Sequence, residues 1–265
     1  MLGITLLSLD AAGGGPAHAQ PLAPSAPRAP SETRASFVGA VPLAAGSVEV
    51  GSVEAASVDT GAPSMNAASK DAASLDPAVL DMALGALECA RRSGSAGERA
   101  DKVLSVIDFR LPSSTPRLWV IDLDSGATLF TERVSHGRNT GEDAATAFSN
   151  IPGSNQSSLG LFRTGEIYVG KHGRSMKLDG LEPGFNDRAR DRAIVVHAAS
   201  YCTGEHVAQW GRLGRSQGCP ALDPAVSDAV IDTIRDGTLL FAYYPDPDWL
   251  SGSSALRCEG AEDPA

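Results

Sequence analysis

The run Leu118-Trp119-Val120-Ile121-Asp122-Leu123, the turn Asp124-Ser125-Gly126 and the run Ala127-Thr128-Leu129-Phe130 decide the class of this chain. Two β-branched and aromatic runs around a short polar turn predict a β-hairpin. Working outward, Val103 to Phe109 reads as a strand before it. Leu161-Phe162-Arg163 and Glu166-Ile167-Tyr168-Val169 flank Thr164-Gly165 and predict a second hairpin. Ala193-Ile194-Val195-Val196 is a short apolar strand that ends in His197, and Thr238 to Tyr244 reads as a last, buried strand. Helices are fewer. Asp76-Pro77 is a helix start, with Leu80, Leu84 and Leu87 on one face and Gly94 and Gly97 beyond it. Asp223-Pro224 repeats that signal before Val226, Val230, Ile231 and Ile234, and Gly237 closes the helix. The expected class is mainly β, a sandwich or barrel with a few accessory helices.

The 265 residues carry a formal charge of −10, which argues against a nucleic-acid partner. No apolar run approaches the roughly 18 residues of a membrane span, so no transmembrane segment is expected in the mature chain. Residues 1–19 read as a secretory signal peptide whose start was assigned too late. Ile4 to Leu9 is apolar and Ala17-His18-Ala19 is a small-x-small site, but a basic first segment is missing. The alternative is an ordinary alanine-rich tail. Residues 20–74 are rich in Ala, Pro and Ser, with Pro21, Pro24, Pro27 and Pro30 at every third place, and read as a disordered linker. The folded domain is expected over 75–258, with 259–265 as a tail.

The chemistry concentrates in Arg212-Leu213-Gly214-Arg215-Ser216-Gln217-Gly218-Cys219-Pro220-Ala221-Leu222. A thiol nucleophile needs access and a base, and Cys219 follows a small, polar approach after a strand that delivers His197. Gly218 admits a carbonyl to the backbone, and the N–H groups of Gly218 and Cys219 form a candidate oxyanion hole. Ser216 is placed to orient the imidazole or line the site. Arg215, His172 and His136 are candidate groove residues, the histidines because glycine follows each. The bland reading of Cys219 is a buried, inert cysteine, and its glycine-rich surroundings count against that. His197, Cys202 and His206 are zinc-ligand types, but their spacing matches no zinc signature, so neither metal nor cofactor is expected. Trp119, Trp210 and Trp249 read as core or staple residues. Four cysteines allow three full pairings. If Cys219 stays a thiol in an oxidising compartment, Cys89 with Cys258 is the attractive bridge.

The Val-Val-His run and the Gly-Arg-Ser-x-Gly-Cys-Pro-Ala-Leu motif resemble the murein L,D-transpeptidase catalytic domain family, related to the YkuD domain. Pro116 to Asp122, Ser135 to Asn139, Gly173 to Ser175 and Asp179 to Gly184 carry the same resemblance, which spans about Leu75 to Cys258. It implies a YkuD-like β-sandwich or barrel and an exported enzyme, periplasmic or cell-wall associated, acting on peptidoglycan stem peptides. It places Cys219 as nucleophile and His197 as base, with Gly218 and Ser216 in support. It also implies acylation by carbapenem-type inhibitors. Gln217 stands where the wider family has a second histidine, and Ala221 where Asn or Arg is common. Because Ala198 follows His197, a backbone carbonyl is expected to orient the imidazole. The competing readings are an L,D-carboxypeptidase, with water as acceptor, and a non-catalytic wall-binding domain.

Overall fold

A computed structural model describes residues 74–258. The readings of 1–19, of 20–73 and of the tail from 259 lie outside the described residues. The first helix, α1 (Pro77–Arg92), starts as its sequence dictates: the Asp76 carboxylate accepts from the Ala78 N–H and proline occupies the first turn. Its buried face is Val79, Ala83, Ala86, Leu87 and Ala90. Of the expected leucine face, Leu87 is buried and Leu80 packs against the core, while Leu84 is 39% exposed. Alanines let the helix axis approach its neighbours more closely than leucines would.

The strands are β1 (Val103–Asp108), β2 (Leu118–Asp122), β3 (Thr128–Glu132), β4 (Gly160–Gly170), β5 (Gly173–Gly180), β6 (Val195–Ala198), β7 (Ala221–Leu222) and β8 (Leu239–Tyr243). They form one sheet in the order β3-β2-β1-β8-β4-β5-β6-β7. β1 and β8 pair in parallel near its middle and every residue of both is buried, which explains their unbroken apolar character. The chain leaving β3 then reaches the opposite edge. Ser135 N–H donates to the Ala221 carbonyl at 2.9 Å, and Ser216 N–H donates to the His136 carbonyl at 2.9 Å. The sheet thereby bends almost into a closed barrel, with β7 and the Ser216 loop at the seam.

The β2–β3 hairpin forms where expected. Its turn is held by the Asp122 carboxylate, which accepts from the Ser125 N–H and hydroxyl, both at 2.7 Å. The second hairpin does not turn at Thr164-Gly165. β4 runs straight through that pair with an irregular register between Thr164 and Ile167, and the turn lies at Lys171-His172. Thr164 is buried, its N–H donates to the Thr238 carbonyl at 2.9 Å and its own carbonyl accepts from Gly237 at 2.9 Å. Those bonds keep the chain on the sheet, so the Thr-Gly pair makes a bulge rather than a reversal. β5 was therefore missed as a strand.

The Asp223-Pro224 signal yields α3 (Pro224–Ile234), again capped by the aspartate. Short helices α2 (Gly204–Trp210), α4 (Pro247–Gly252) and α5 (Ser254–Arg257) were not expected. Trp119 and Trp249 are buried core residues, whereas Trp210 is 61% exposed, its ring set against His206 of the same helix at 6.2 Å between centroids. Glu182 ties the C-terminal turns to the sheet. Its buried carboxylate accepts from Leu161 N–H at 2.6 Å, from Trp249 Nε1–H at 3.1 Å and from the Ser253 hydroxyl. Cys89 and Cys258 form a disulfide with their Cα atoms 5.1 Å apart, fastening α5 to α1. Cys202 and Cys219 are free thiols.

Candidate active site

β6 carries His197 beside Ser175 of β5 on one side and beside Ala221 of β7 on the other. The parallel β6–β7 register sets Cys219, two residues before Ala221, on the same seam. His197 is only 2% exposed. Its Nδ1 meets the Ala198 carbonyl at 2.8 Å, and since a carbonyl only accepts, Nδ1 carries the proton and Nε2 keeps its lone pair. That carbonyl is the orienting group expected from the sequence. Burial pushes the imidazole below its ordinary pKa, and the neighbouring His172 and Lys171 add to the effect. His197 is therefore neutral at physiological pH.

Cys219 and His197 line one cleft of about 380 Å³, with His172, Arg215, Ser216 and Gln217 also on its walls. Cys219 is partly exposed. Its Sγ accepts from Val195 N–H at 3.5 Å and faces the Ala193 carbonyl at 3.7 Å. His197 is not among its hydrogen-bond partners in this arrangement. Ala193 has φ 54°, a left-handed conformation that an alanine adopts at a cost of ~1 kcal/mol or more. Burial pushes the Cys219 thiol up, while Val195 N–H, Arg192 and Lys171 pull it back. Cys202, by contrast, is 1% exposed, donates to the Ala221 carbonyl at 3.3 Å and is pushed up to about 12 by burial, so it is inert. Among the described residues no group of three or more His, Cys, Asp or Glu is placed to hold a metal ion.

The Ser216-Gln217-Gly218-Cys219 loop is a small clamp. The Ser216 hydroxyl donates to the Cys219 carbonyl at 2.6 Å and accepts from Gly218 N–H at 3.0 Å. Two expectations change. Ser216 lines the cleft, but its hydroxyl braces the loop instead of orienting the imidazole. The Gly218 N–H is already engaged, so it does not stand free as an oxyanion donor beside the Cys219 amide. Gly218 itself is required, because its φ is 125° and an added Cβ would stand 2.8 Å from the Gln156 carbonyl oxygen and 2.9 Å from Ile194 Cδ1. Gly218→Ala is expected to displace the loop and slow Cys219 alkylation by about tenfold to 10²-fold, with the domain still folded. Iodoacetamide kinetics alongside circular dichroism check this.

His172 is exposed on the β4–β5 turn and stacks on His197, ring centroids 4.4 Å apart and planes 26° apart. Arg215 reaches the cleft while pairing with Glu142 at 2.6 Å. His136 does not line the cleft. It is fully buried, its Nδ1 accepts from Arg117 at 2.7 Å, and its Nε2 meets the Gly141 carbonyl at 3.3 Å. Its place is behind the Ser216 loop, because its own backbone forms the barrel seam. Burial, and then the Arg117 charge, push it down to about 4. Lys171, Arg192, Tyr168 and Tyr201 also line the cleft and were missed. For Arg192 one signal existed: a cation standing just before the apolar run that ends in His197.

A family model for the L,D-transpeptidase catalytic domain, YkuD_2, matches residues 71–243. The chain belongs to that family. Solved structures similar to this L,D-transpeptidase-family domain include an L,D-transpeptidase from Mycobacterium smegmatis. That pair is 16% identical over 54% of this chain and 59% of the other, with a TM-score of 0.35. An L,D-transpeptidase from Stackebrandtia nassauensis is 16% identical over 60% of this chain and 66% of its own, with a TM-score of 0.31. The L,D-transpeptidase LdtMt1 in complex with imipenem is 16% identical over 54% and 59%, with a TM-score of 0.33. The chain thus spans about three-fifths of the first of these structures' length. A search of curated proteins gives no match.

Proposed function

We propose that this domain is a cysteine peptidoglycan L,D-transpeptidase of an exported protein, periplasmic or cell-wall associated. The observation that carries the reading is the shared cleft: a partly exposed thiol at Cys219 and, in the same walls, His197 with its tautomer set by the Ala198 carbonyl. The thiol turns from the Ala193 carbonyl toward the cleft and gives its proton to Nε2 of His197. The sulfur attacks the carbonyl after the third residue of a tetrapeptide stem. The C–N bond to the terminal D-Ala breaks, and that amine leaves with the proton held by the imidazole. An amine of a second stem then attacks the thioester, the C–S bond breaks, and Cys219 recovers its proton through His197. The Cys219 N–H, beside its own sulfur, supports the oxyanion.

The full chain incubated with a carbapenem is expected to gain one adduct, located on Cys219 by peptide mapping. An unmodified Cys219 in a folded chain would overturn the reading. Incubation with a tetrapeptide stem is expected to give a 3→3 cross-linked dimer. Tripeptide alone would replace the amine acceptor by water and make the enzyme a carboxypeptidase. No reaction with either compound would favour a wall-binding domain.

A further inference from the structure

We infer that the Arg192 guanidinium is the fixed positive charge that stabilises Cys219 in its thiolate form. The inference rests on Cys219 being the nucleophile. Arg192 stands three residues before Val195, the first residue of β6, and lines the cleft with Cys219. Its Nη1 donates to the Ser149 carbonyl and the Ser158 hydroxyl, both at 2.6 Å. Its Nη2 donates to the Ser154 hydroxyl at 3.3 Å and the Gln156 carbonyl at 2.5 Å. Nη2 also lies 3.4 Å from where a Cβ on Gly218 would stand, beside the peptide that enters Cys219.

Each of those four acceptors is uncharged. Several other arginines are neutralised: Arg110 by Asp108, Arg174 by Asp232, Arg190 by Glu166 and Asp179, Arg215 by Glu142; Arg117 is also held by uncharged partners, but it does not line the cleft. Among the described residues no carboxylate pairs with Arg192, and the charge that favours its protonated form is that of Cys219. The four bonds also fix the group. They occupy the terminal N–H groups on both nitrogens, so the guanidinium can neither swing to solvent nor take a carboxylate by its fork. What it offers the cleft is field, in partly buried surroundings where a charge is weakly screened.

The other groups facing the thiol do not supply this field equally. His197 is held neutral by burial, so this pair is not an ion pair at rest. The Tyr201 phenol is pushed up by burial and stays neutral. Arg215 is paired with Glu142. Lys171 and His172 sit on an exposed turn.

The test is the pH dependence of Cys219 alkylation by iodoacetamide, with Cys219→Ala as background for Cys202. Arg192→Gln is expected to raise the midpoint by about one pH unit, which lowers alkylation at pH 7 about tenfold. Arg192→Lys keeps the charge and is expected to hold the midpoint within about 0.3 unit, and Lys171→Gln to move it less than Arg192→Gln does. An unchanged midpoint in Arg192→Gln would overturn the inference. So would equal shifts in the Gln and Lys variants, which would make Arg192 a brace for the Ser149–Ser158 segment. If Arg192→Gln fails to fold, Arg192→Met takes its place: a midpoint raised above that of Arg192→Lys supports the inference, and an unchanged midpoint overturns it. Alkylation needs no stem peptide, so failure of the transpeptidase reading and failure of this one are separate results.

Discussion

His197→Gln is expected to slow acylation of Cys219 by a tetrapeptide stem by about 10²- to 10⁴-fold, the usual worth of a positioned base. The variant leaves the cleft walls in place and removes the lone pair that Nε2 presents. The pH profile separates loss of a base from loss of shape. In the native domain His197 has its pKa below the ordinary value, so the acid limb of the rate falls below pH ~6.5 and the base is free at neutral pH. In His197→Gln that limb is expected to vanish, and the rate should climb toward alkaline pH with ionisation of the Cys219 thiol, which burial raises. Single-turnover acylation followed by intact mass from pH 5 to 9 measures both. A variant within threefold of the native rate, or one that keeps the native acid limb, would exclude His197 as the base.

The second large effect concerns stability. His136 is fully buried against Arg117 and pushed down to about 4, whereas in the unfolded chain it titrates near 6.5. Between those values the unfolded chain binds a proton that the folded chain does not. Stability therefore rises with pH across this window and is lost as pH falls through it. The difference of about 2.5 units corresponds to about 3 kcal/mol, a large share of the 5–15 kcal/mol typical of a domain. His136→Asn keeps an acceptor for Arg117 but cannot charge. Its unfolding free energy is expected to lose about 3 kcal/mol less than the native domain's between pH 6.5 and pH 4. Urea melts of both at those two pH values measure the slopes. Parallel slopes would show that His136 titrates normally in the fold.

The two glycine-followed histidines mark the limit of local reading. Ser-His-Gly at 135–137 and Lys-His-Gly at 171–173 look alike in sequence. One lies buried behind the barrel seam, and the other stacks in the open on His197. Their flanking residues do not differ in any way that decides this, because the neighbours that bury His136 come from Arg117 and from Ser216, far along the chain. The Thr164-Gly165 pair shows the same limit for a turn. Its composition suits a reversal, but bonds to Thr238 and Gly237 hold the chain straight.

Periodicity, turn residues and capping pairs were enough to establish a mainly β domain, the β2–β3 hairpin, the proline-started helices α1 and α3 and the Cys219–His197 candidate. Each of these depends on side chains close in sequence or on residue chemistry. Only the tertiary structure decided that Cys89 and Cys258 pair, that Ser216 occupies the Gly218 amide, that His136 is a buried support and that Arg192 lines the thiol's cleft with no carboxylate paired to it among the described residues. Those facts depend on the register of strands distant in sequence. A one-residue slip would turn His197 to the other face of the sheet, and the sheet's closure at Ser135 and Ala221 holds the register that places it in the cleft.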